Sequence, residues 1–200
     1  MEQGKWANYT DQSKLDLASA TVLSLGLKVV SSLDKQMEIM EPHLEIVMQY
    51  EAVVEPPHAP NESINIVPVS SGTIKGMGEY DGQINGSLIA PAGEWLQISP
   101  SGIMKPDVRL SYQIDNDEVL YFQYSGRIIP NEKMAARTEA GETIKGKDIY
   151  FVINPLIMTN STAHAWINES VFIGVMNELK FMTENEKGFV RYDVFRVVPH

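Results

Sequence analysis

The sequence predicts a mainly β protein: a single antiparallel β-barrel domain over residues 43–200, preceded by an N-terminal helical arm over residues 1–42. Three observations predict it. From His43 onward apolar residues recur at every second position, the period of a strand whose side chains alternate between two faces. These segments follow one another in series, about nine or ten of them, which favours a closed barrel or sandwich over an alternating helix and strand fold. Before His43 the apolar spacing is instead three and four, the period of a helix face.

In the arm, Leu15, Ala18, Val22, Leu25, Val29, Leu33, Met37 and Met40 share one face, and Leu17, Leu23, Leu27 and Val30 widen it. Asp11 or Ser13 is placed to cap the start, Gly26 weakens the middle, and Pro42 ends the run because proline disfavours helical geometry in the residue before it. A stripe this wide has to be covered. Its two destinations are the chain's own barrel, at one end or along an edge, and a second copy of the chain, which would make a homo-oligomer through the arm.

The first strand runs from His43 to Val54, with Leu44, Ile46, Met48, Tyr50, Ala52 and Val54 on one face. Residues 55–61 (Glu-Pro-Pro-His-Ala-Pro-Asn) read as a stiff loop, since proline removes donors and fixes the backbone. Residues 64–70 follow as a strand, after which Gly72, Gly76 and Gly78 mark bulges, bends or close backbone approach. Residues 83–90 and 94–99 read as two further strands, and Pro100-Ser101-Gly102 as a turn. Residues 107–114 place Val108, Leu110, Tyr112 and Ile114 on one face and Asp107, Arg109, Ser111 and Gln113 on the other. Either the charged face is simply wet, or Asp107 and Arg109 point into a cavity. Asp115-Asn116-Asp117 reads as a hairpin turn and residues 119–129 as the next strand. The polar, glycine-punctuated stretch 130–147 is too long for a hairpin loop and reads as a lid or a disordered segment. Strands resume over residues 148–153, around 170–176 and over 189–198.

A net charge of −10 and a pI near 4.8, with no cluster of Lys and Arg, argue against nucleic acid or an anionic membrane as partner. The absence of cysteine excludes disulfides, thiolate metal sites and cysteine nucleophiles. Residues 1–10 lack the basic-then-apolar pattern of a signal peptide, so the expected location is cytoplasmic; Asn-x-Ser/Thr triplets at Asn8, Asn61, Asn85, Asn160 and Asn168 keep secretion as the alternative. The four histidines are scattered, and no hydrolase elbow, zinc helix, phosphate loop or dinucleotide fingerprint is present. The expectation is therefore no metal and no cofactor.

The segments Gly72-Thr73-Ile74-Lys75-Gly76, Gly93-Glu94-Trp95, Asp107-Val108-Arg109-Leu110, Ala165-Trp166-Ile167-Asn168, Phe172-Ile173-Gly174 and Tyr192-Asp193-Val194-Phe195 stand in an order and spacing that resembles domain-of-unknown-function family 3237, over about residues 43–198. The resemblance implies a single lipocalin-like antiparallel barrel of a kind found in bacteria and fungi. It leaves the helical arm outside. The chain departs from the family in having Leu110 where a tyrosine often follows the arginine, and in its longer 131–147 loop.

A cofactor-free pocket can still run acid–base chemistry. Asp107 or Glu94 could remove a proton, Arg109 or Arg127 could stabilise an enolate or phenolate, and Tyr112, Tyr124 or Tyr150 could relay protons or stack on a ring. The expected catalytic set is Asp107, Arg109, Glu94 and Tyr124, and the expected ligand-binding set is Trp95, Tyr112, Arg127, Tyr150, Trp166 and Asn168. Each has a plainer reading: Asp107 and Arg109 as an exposed ion pair, Trp95 and Trp166 as core, Asn168 as the partner of a buried backbone group. The function that fits is a cofactor-independent isomerase or cyclase acting on an aromatic or polyketide-like substrate. The rivals are a non-catalytic carrier of a small apolar ligand and a structural protein that assembles through its arm.

Overall fold

Alternation builds the wall of the barrel. Along residues 107–114 the side chains of Val108, Leu110, Tyr112 and Ile114 are buried while Arg109 and Gln113 are exposed; along 119–129 Leu120, Phe122, Tyr124 and Ile128 are buried while Gln123, Ser125 and Arg127 are exposed. One face of each strand looks into a packed interior and the other into water, as an antiparallel sheet allows. The computed structural model describes residues 43–114, 117–183 and 185–198. The predicted helical arm, and Asp115 and Asn116 of the predicted hairpin turn, lie outside the described residues.

Eleven strands are present among the described residues. In chain order they are β1 (His43–Val54), β2 (His58–Asn61), β3 (Ile64–Gly76), β4 (Asn85–Ile98), β5 (Met104–Lys105), β6 (Asp107–Ile114), β7 (Val119–Ile129), β8 (Ile144–Lys145), β9 (Tyr150–Thr159), β10 (Phe172–Lys180) and β11 (Gly188–Val198). Eight of them close a ring in the order β3-β1-β11-β10-β9-β7-β6-β4, with β4 pairing back to β3. Closure leaves no open edge on the ring. The short strands β2, β5 and β8 pair onto it at β3, at β4 and β7, and at β10.

Several segments differ from expectation, and two of the differences are of length: the strand predicted over 64–70 runs on to Gly76 as β3, and the one predicted over 148–153 runs from Tyr150 to Thr159 as β9. The two strands predicted over 83–90 and 94–99 are one strand, β4, whose pairing to β6 slips between Ile89 and Gly93: Ile89 lies opposite Ser111 and Gly93 opposite Arg109, so four steps along β4 match two along β6. Pro91, in a cis peptide with Ala90, sits in this bulge and breaks the alternation on which the sequence reading relied. Because the insertion is even, Leu88 before it and Glu94 after it face the same side. The stiff loop 55–61 is strand in its second half, as β2. The 130–147 stretch, expected as a lid or a disordered segment, is ordered and holds the helix α1 (Glu132–Glu139). Asn131 caps it by accepting from the Met134 amide at 2.9 Å and donates through Nδ2 to the Asp148 carbonyl at 2.7 Å. The Arg137 guanidinium then reaches the nearly buried Asp148 carboxylate at 3.2 Å.

The expected close approach at Gly72 is present: a Cβ there would lie 2.2 Å from the Glu51 carbonyl oxygen of β1. Gly78 has φ of +60°, which only glycine adopts without cost.

The middle of the barrel is filled by rings from five strands. Tyr50 lies 5.1 Å from Tyr192, 5.3 Å from Phe122, 5.9 Å from Tyr112 and 6.3 Å from Tyr124, centroid to centroid, and Phe151 meets Tyr192 edge-on at 5.3 Å. Tilted and edge-to-face pairs of this kind hold one another in place. One end of the barrel is shut beneath them. There Ile84 and Ile167 are fully buried, His164 Nε2 lies 3.1 Å from the Gln83 carbonyl oxygen, and Trp166 stacks on Tyr80 at 4.6 Å with the Arg196 guanidinium over its ring at 5.2 Å.

Candidate functional site

The other end holds a cavity. It is about 160 Å³ and is lined by Val67 of β3, Leu96 of β4, Met104 of β5, Ile128 of β7, Phe151 of β9 and Val190 of β11, with Met134 of α1 and the Leu179–Met182 segment over its mouth. Three polar side chains of the ring reach this lining from the inward register, Glu94, Tyr192 and Asn65, the last opposite Leu96 across the β3–β4 pairing. Glu94 owes its direction to the even bulge in β4, which keeps it in register with inward-facing Leu88, Ala92 and Leu96.

A carboxylate facing an apolar lining loses hydration. Burial alone pushes the Glu94 carboxyl from the ordinary value near 4.5 up to about 7, although the residue as a whole is only half-buried. Behind it the phenols of Tyr124 and Tyr192 are raised, both first by burial, then Tyr124 by Glu94 and Tyr192 by Tyr124 and Glu94, so both remain neutral hydrogen-bond donors. The Tyr112 hydroxyl donates to the Glu51 carbonyl oxygen at 3.1 Å. The Tyr50 hydroxyl is buried behind the cavity floor with no partner at strict hydrogen-bonding geometry, and the Tyr124 hydroxyl is the group that interacts with it.

The chemistry of this arrangement is specific. A carboxyl with a pKa near neutrality is present as both base and acid at physiological pH, which is the condition for moving a proton to and from carbon efficiently. Neutral phenols beside it can stabilise charge that develops on an oxygen. A larger concavity of about 900 Å³ lies on the outer face, lined by Gln49, Glu51, Thr73, Lys75, Asn85, Ser87, Gln113 and Arg191. Several of these are already paired with neighbours, Gln49 with Asp193 at 2.6 Å, Gln113 with Asp117 at 2.7 Å and Glu51 with Arg191. That surface is open and mostly polar.

The sequence-predicted residues separate by face. Glu94, Tyr124 and Tyr112 are inside, the first at the cavity and the other two in the aromatic cluster around Tyr50. Asp107 and Arg109 do not point into a cavity: they sit on the outer face of β6, their side chains 45% and 46% exposed, paired with each other at 3.2 Å. Arg127 is exposed on the outer face of β7 and donates to the adjacent Gly126 carbonyl. Trp95 and Tyr150 are outward as well, 40% and 54% exposed. Trp166 and Asn168 belong to the closed end, where Asn168 bonds both the amide and the carbonyl of Thr159, at 2.8 and 2.9 Å. The physical reason is common to the outward group: the interior of this barrel is the apolar register of each strand, so charged residues in the opposite register face water. Tyr50 and Tyr192 were missed as site residues. Their signal was a tyrosine in the inward, apolar register of β1 and of β11, matching those of β6 and β7.

No curated protein matches the chain. Solved structures do resemble its fold. A conserved protein of unknown function from Rhodopseudomonas palustris is 21% identical over 80% of this chain and 100% of its own, with a TM-score of 0.65. A β-barrel-like protein from Acinetobacter baumannii is 18% identical over 78% of this chain and 95% of its own, with a TM-score of 0.57. An enzyme from Penicillium herquei is 16% identical over 78% of this chain and 94% of its own, with a TM-score of 0.50. The family model described as protein of unknown function (DUF3237) matches residues 41–197, and the chain belongs to that family.

Proposed function

We propose that the protein is a cofactor-independent isomerase or cyclase whose general acid–base residue is Glu94. The observation that carries this reading is a carboxyl, raised to about 7 by burial alone, at a mostly apolar cavity beside neutral phenols. In the ionised form Glu94 takes a proton from a carbon next to a carbonyl. The C–H electron pair becomes the C=C bond of an enolate, and the carbonyl π pair moves onto oxygen, where a tyrosine hydroxyl donates to it. Returning the proton from Glu94 to a different carbon completes an isomerisation with no net change of atoms. Attack of the enolate carbon on a second carbonyl of the same molecule, with Glu94 giving its proton to the new alkoxide, completes a ring closure. Aromatic and polyketide-like carbonyl compounds have the acidic C–H bonds this requires. A carrier would gain nothing from holding a carboxyl out of water at such cost. That a protein with the same fold is described as an enzyme is consistent with a catalytic role, at an identity where only the fold is shared.

The test needs no knowledge of the natural substrate. Acetophenone incubated in D₂O with the protein should exchange its methyl protons faster than in buffer, with a rate that rises with pH through about 7 as Glu94 ionises. Glu94→Gln should return the rate to that of buffer. Exchange in the wild type no faster than in buffer, or equal in the variant, would remove the acid–base reading and leave a carrier.

A further inference from the structure

The charges around the cavity restrict what it can accept. Lys180 lies on the lining, but its ammonium pairs with Glu186; Glu55 lies there too, and its carboxylate accepts from Lys187 at 2.5 Å. Both mouth charges are thus neutralised in pairs before a ligand arrives. Farther in, the polar groups on the lining are the Glu94 carboxyl, the Tyr192 hydroxyl and the Asn65 amide, with Tyr124 packed against Tyr192 at 5.9 Å. None of these is a cation. A ligand carrying a carboxylate or phosphate would have to shed its water and face Glu94 with no positive partner, a loss no neighbouring group offsets. A carbonyl oxygen, by contrast, needs only donors, and donors are what the interior supplies: the phenols, and the acid form of Glu94.

Size restricts the ligand further. The cavity volume is about 160 Å³, and an apolar protein cavity of about 150 Å³ takes up one benzene-sized molecule. The floor cannot deepen, because the stacked rings of Tyr50 and Tyr192 and the edge of Phe151 fill the barrel below it. The closed end beyond them is sealed by fully buried Ile84 and Ile167.

We infer that the cavity selects a neutral carbonyl compound, or its enol, whose reacting end is the bulk of a single ring, and that it rejects anions. This specificity rests on the acid–base reading of Glu94, and it adds a substrate class to it. The remainder of a longer substrate would extend past Pro57, Met134 and the Phe181-Met182 segment, which line the same cavity.

Three ketones of matched chemistry test it: acetophenone, 4-acetylbenzoate and 1-acetylpyrene, each followed by an NMR binding titration and by methyl exchange in D₂O. Acetophenone should saturate the protein, and the anionic and the four-ring ketones should bind at least tenfold more weakly, with Leu96→Ala widening the cavity enough to narrow the gap for 1-acetylpyrene. Equal or tighter binding of 4-acetylbenzoate, or of 1-acetylpyrene to the wild type, would overturn the inference, as would failure of all three to bind. Should either of those larger or charged ketones exchange faster than acetophenone, the selectivity is wrong and the acid–base role of Glu94 stands. Saturable, selective binding of acetophenone without exchange above buffer has the opposite meaning: the selectivity holds and the acid–base role fails.

Discussion

The two ends of this barrel are made by the same strands and could hardly be finished more differently. At the closed end, Ile84 and Ile167 are fully buried, Trp166 lies between Tyr80 and Arg196, and His164 and Asn168 satisfy backbone groups of the turns. At the cavity end the inward positions are Val67, Leu96, Met104, Ile128 and Val190 around an unfilled volume, with a carboxyl among them. Interiors are normally packed to crystal-like density, and buried charges are normally paired. One end obeys both rules and the other sets both aside. A fold that leaves a void and a raised carboxyl at the same place, while sealing the other end, makes that place the candidate site.

The largest effect expected from this contrast is on stability. Ile84→Ala, at the closed end, should cost about 2–5 kcal/mol, because it removes packed methyl groups and opens a cavity that the surrounding rings cannot collapse into. Leu96→Ala removes a side chain of equal size that already borders open volume, so it should cost less than half as much. Urea unfolding of the two variants checks this. Equal losses would mean that the two ends are packed alike and that the cavity is no more than a loosely filled core.

How much of this contrast could be read from the sequence varies along the chain. Strict period-two alternation is legible wherever nothing interrupts it, and the predicted bounds of β1, β6 and β7 coincide with the strands. β4 was divided because Pro91 and the extra residues of the bulge break the alternation, and the same bulge sets the direction of Glu94. α1 was missed because its apolar content is a single buried Met134, too little for a helical period to register; Asn131 as a cap was the available clue. The family was legible from short motifs whose order survives when pairwise identity does not. At the site, Glu94 and Tyr124 were named from their chemistry, but so were Asp107, Arg109 and Arg127. Periodicity alone says that a strand has two faces and not which one a ligand sees; here the apolar face is the inner one, and the informative residue was the lone carboxylate within it.

Glu94 also makes stability depend on pH, and the sign is fixed by the direction of its shift. Its folded value, about 7, lies above the ordinary 4.5. Below pH 4.5 the carboxyl is protonated in both states and costs nothing; as pH rises toward 7 the unfolded chain gives up its proton freely while the folded one holds it, and stability falls, levelling off above 7. At about 1.4 kcal/mol per pKa unit, discounted for partial exposure, the loss is about 2–3 kcal/mol. Glu94→Gln should remove that slope and leave the protein more stable than wild type at pH 8, measured by urea unfolding across the range. A variant that is less stable at pH 8, or one that keeps the wild-type slope, would show that Glu94 is not held out of water and that the cavity end is no different from the closed one.

The smallest effect is expected on the outer wall, and it is the one that separates the two faces of the sheet most cleanly. Asp107 and Arg109 are two apart in β6, so they share a face, and their side chains meet at 3.2 Å while nearly half exposed. Water and salt screen such a pair, and holding two long side chains in one geometry offsets much of what remains, leaving under ~1 kcal/mol. Asp107→Asn keeps the shape and removes the charge. It should change unfolding free energy by less than ~1 kcal/mol, less still at high salt, and leave methyl exchange of acetophenone at the wild-type rate. The inner face predicts the reverse for a carboxyl only two strand positions beyond the bulge, since Glu94 lies directly opposite Val108, the residue between this pair. Asp107 and Glu94 are thus near neighbours across the same strand pairing on opposite faces of the sheet. Should Asp107→Asn abolish exchange while Glu94→Gln spares it, the chemistry is on the outer wall, and the raised Glu94 carboxyl has no part in it.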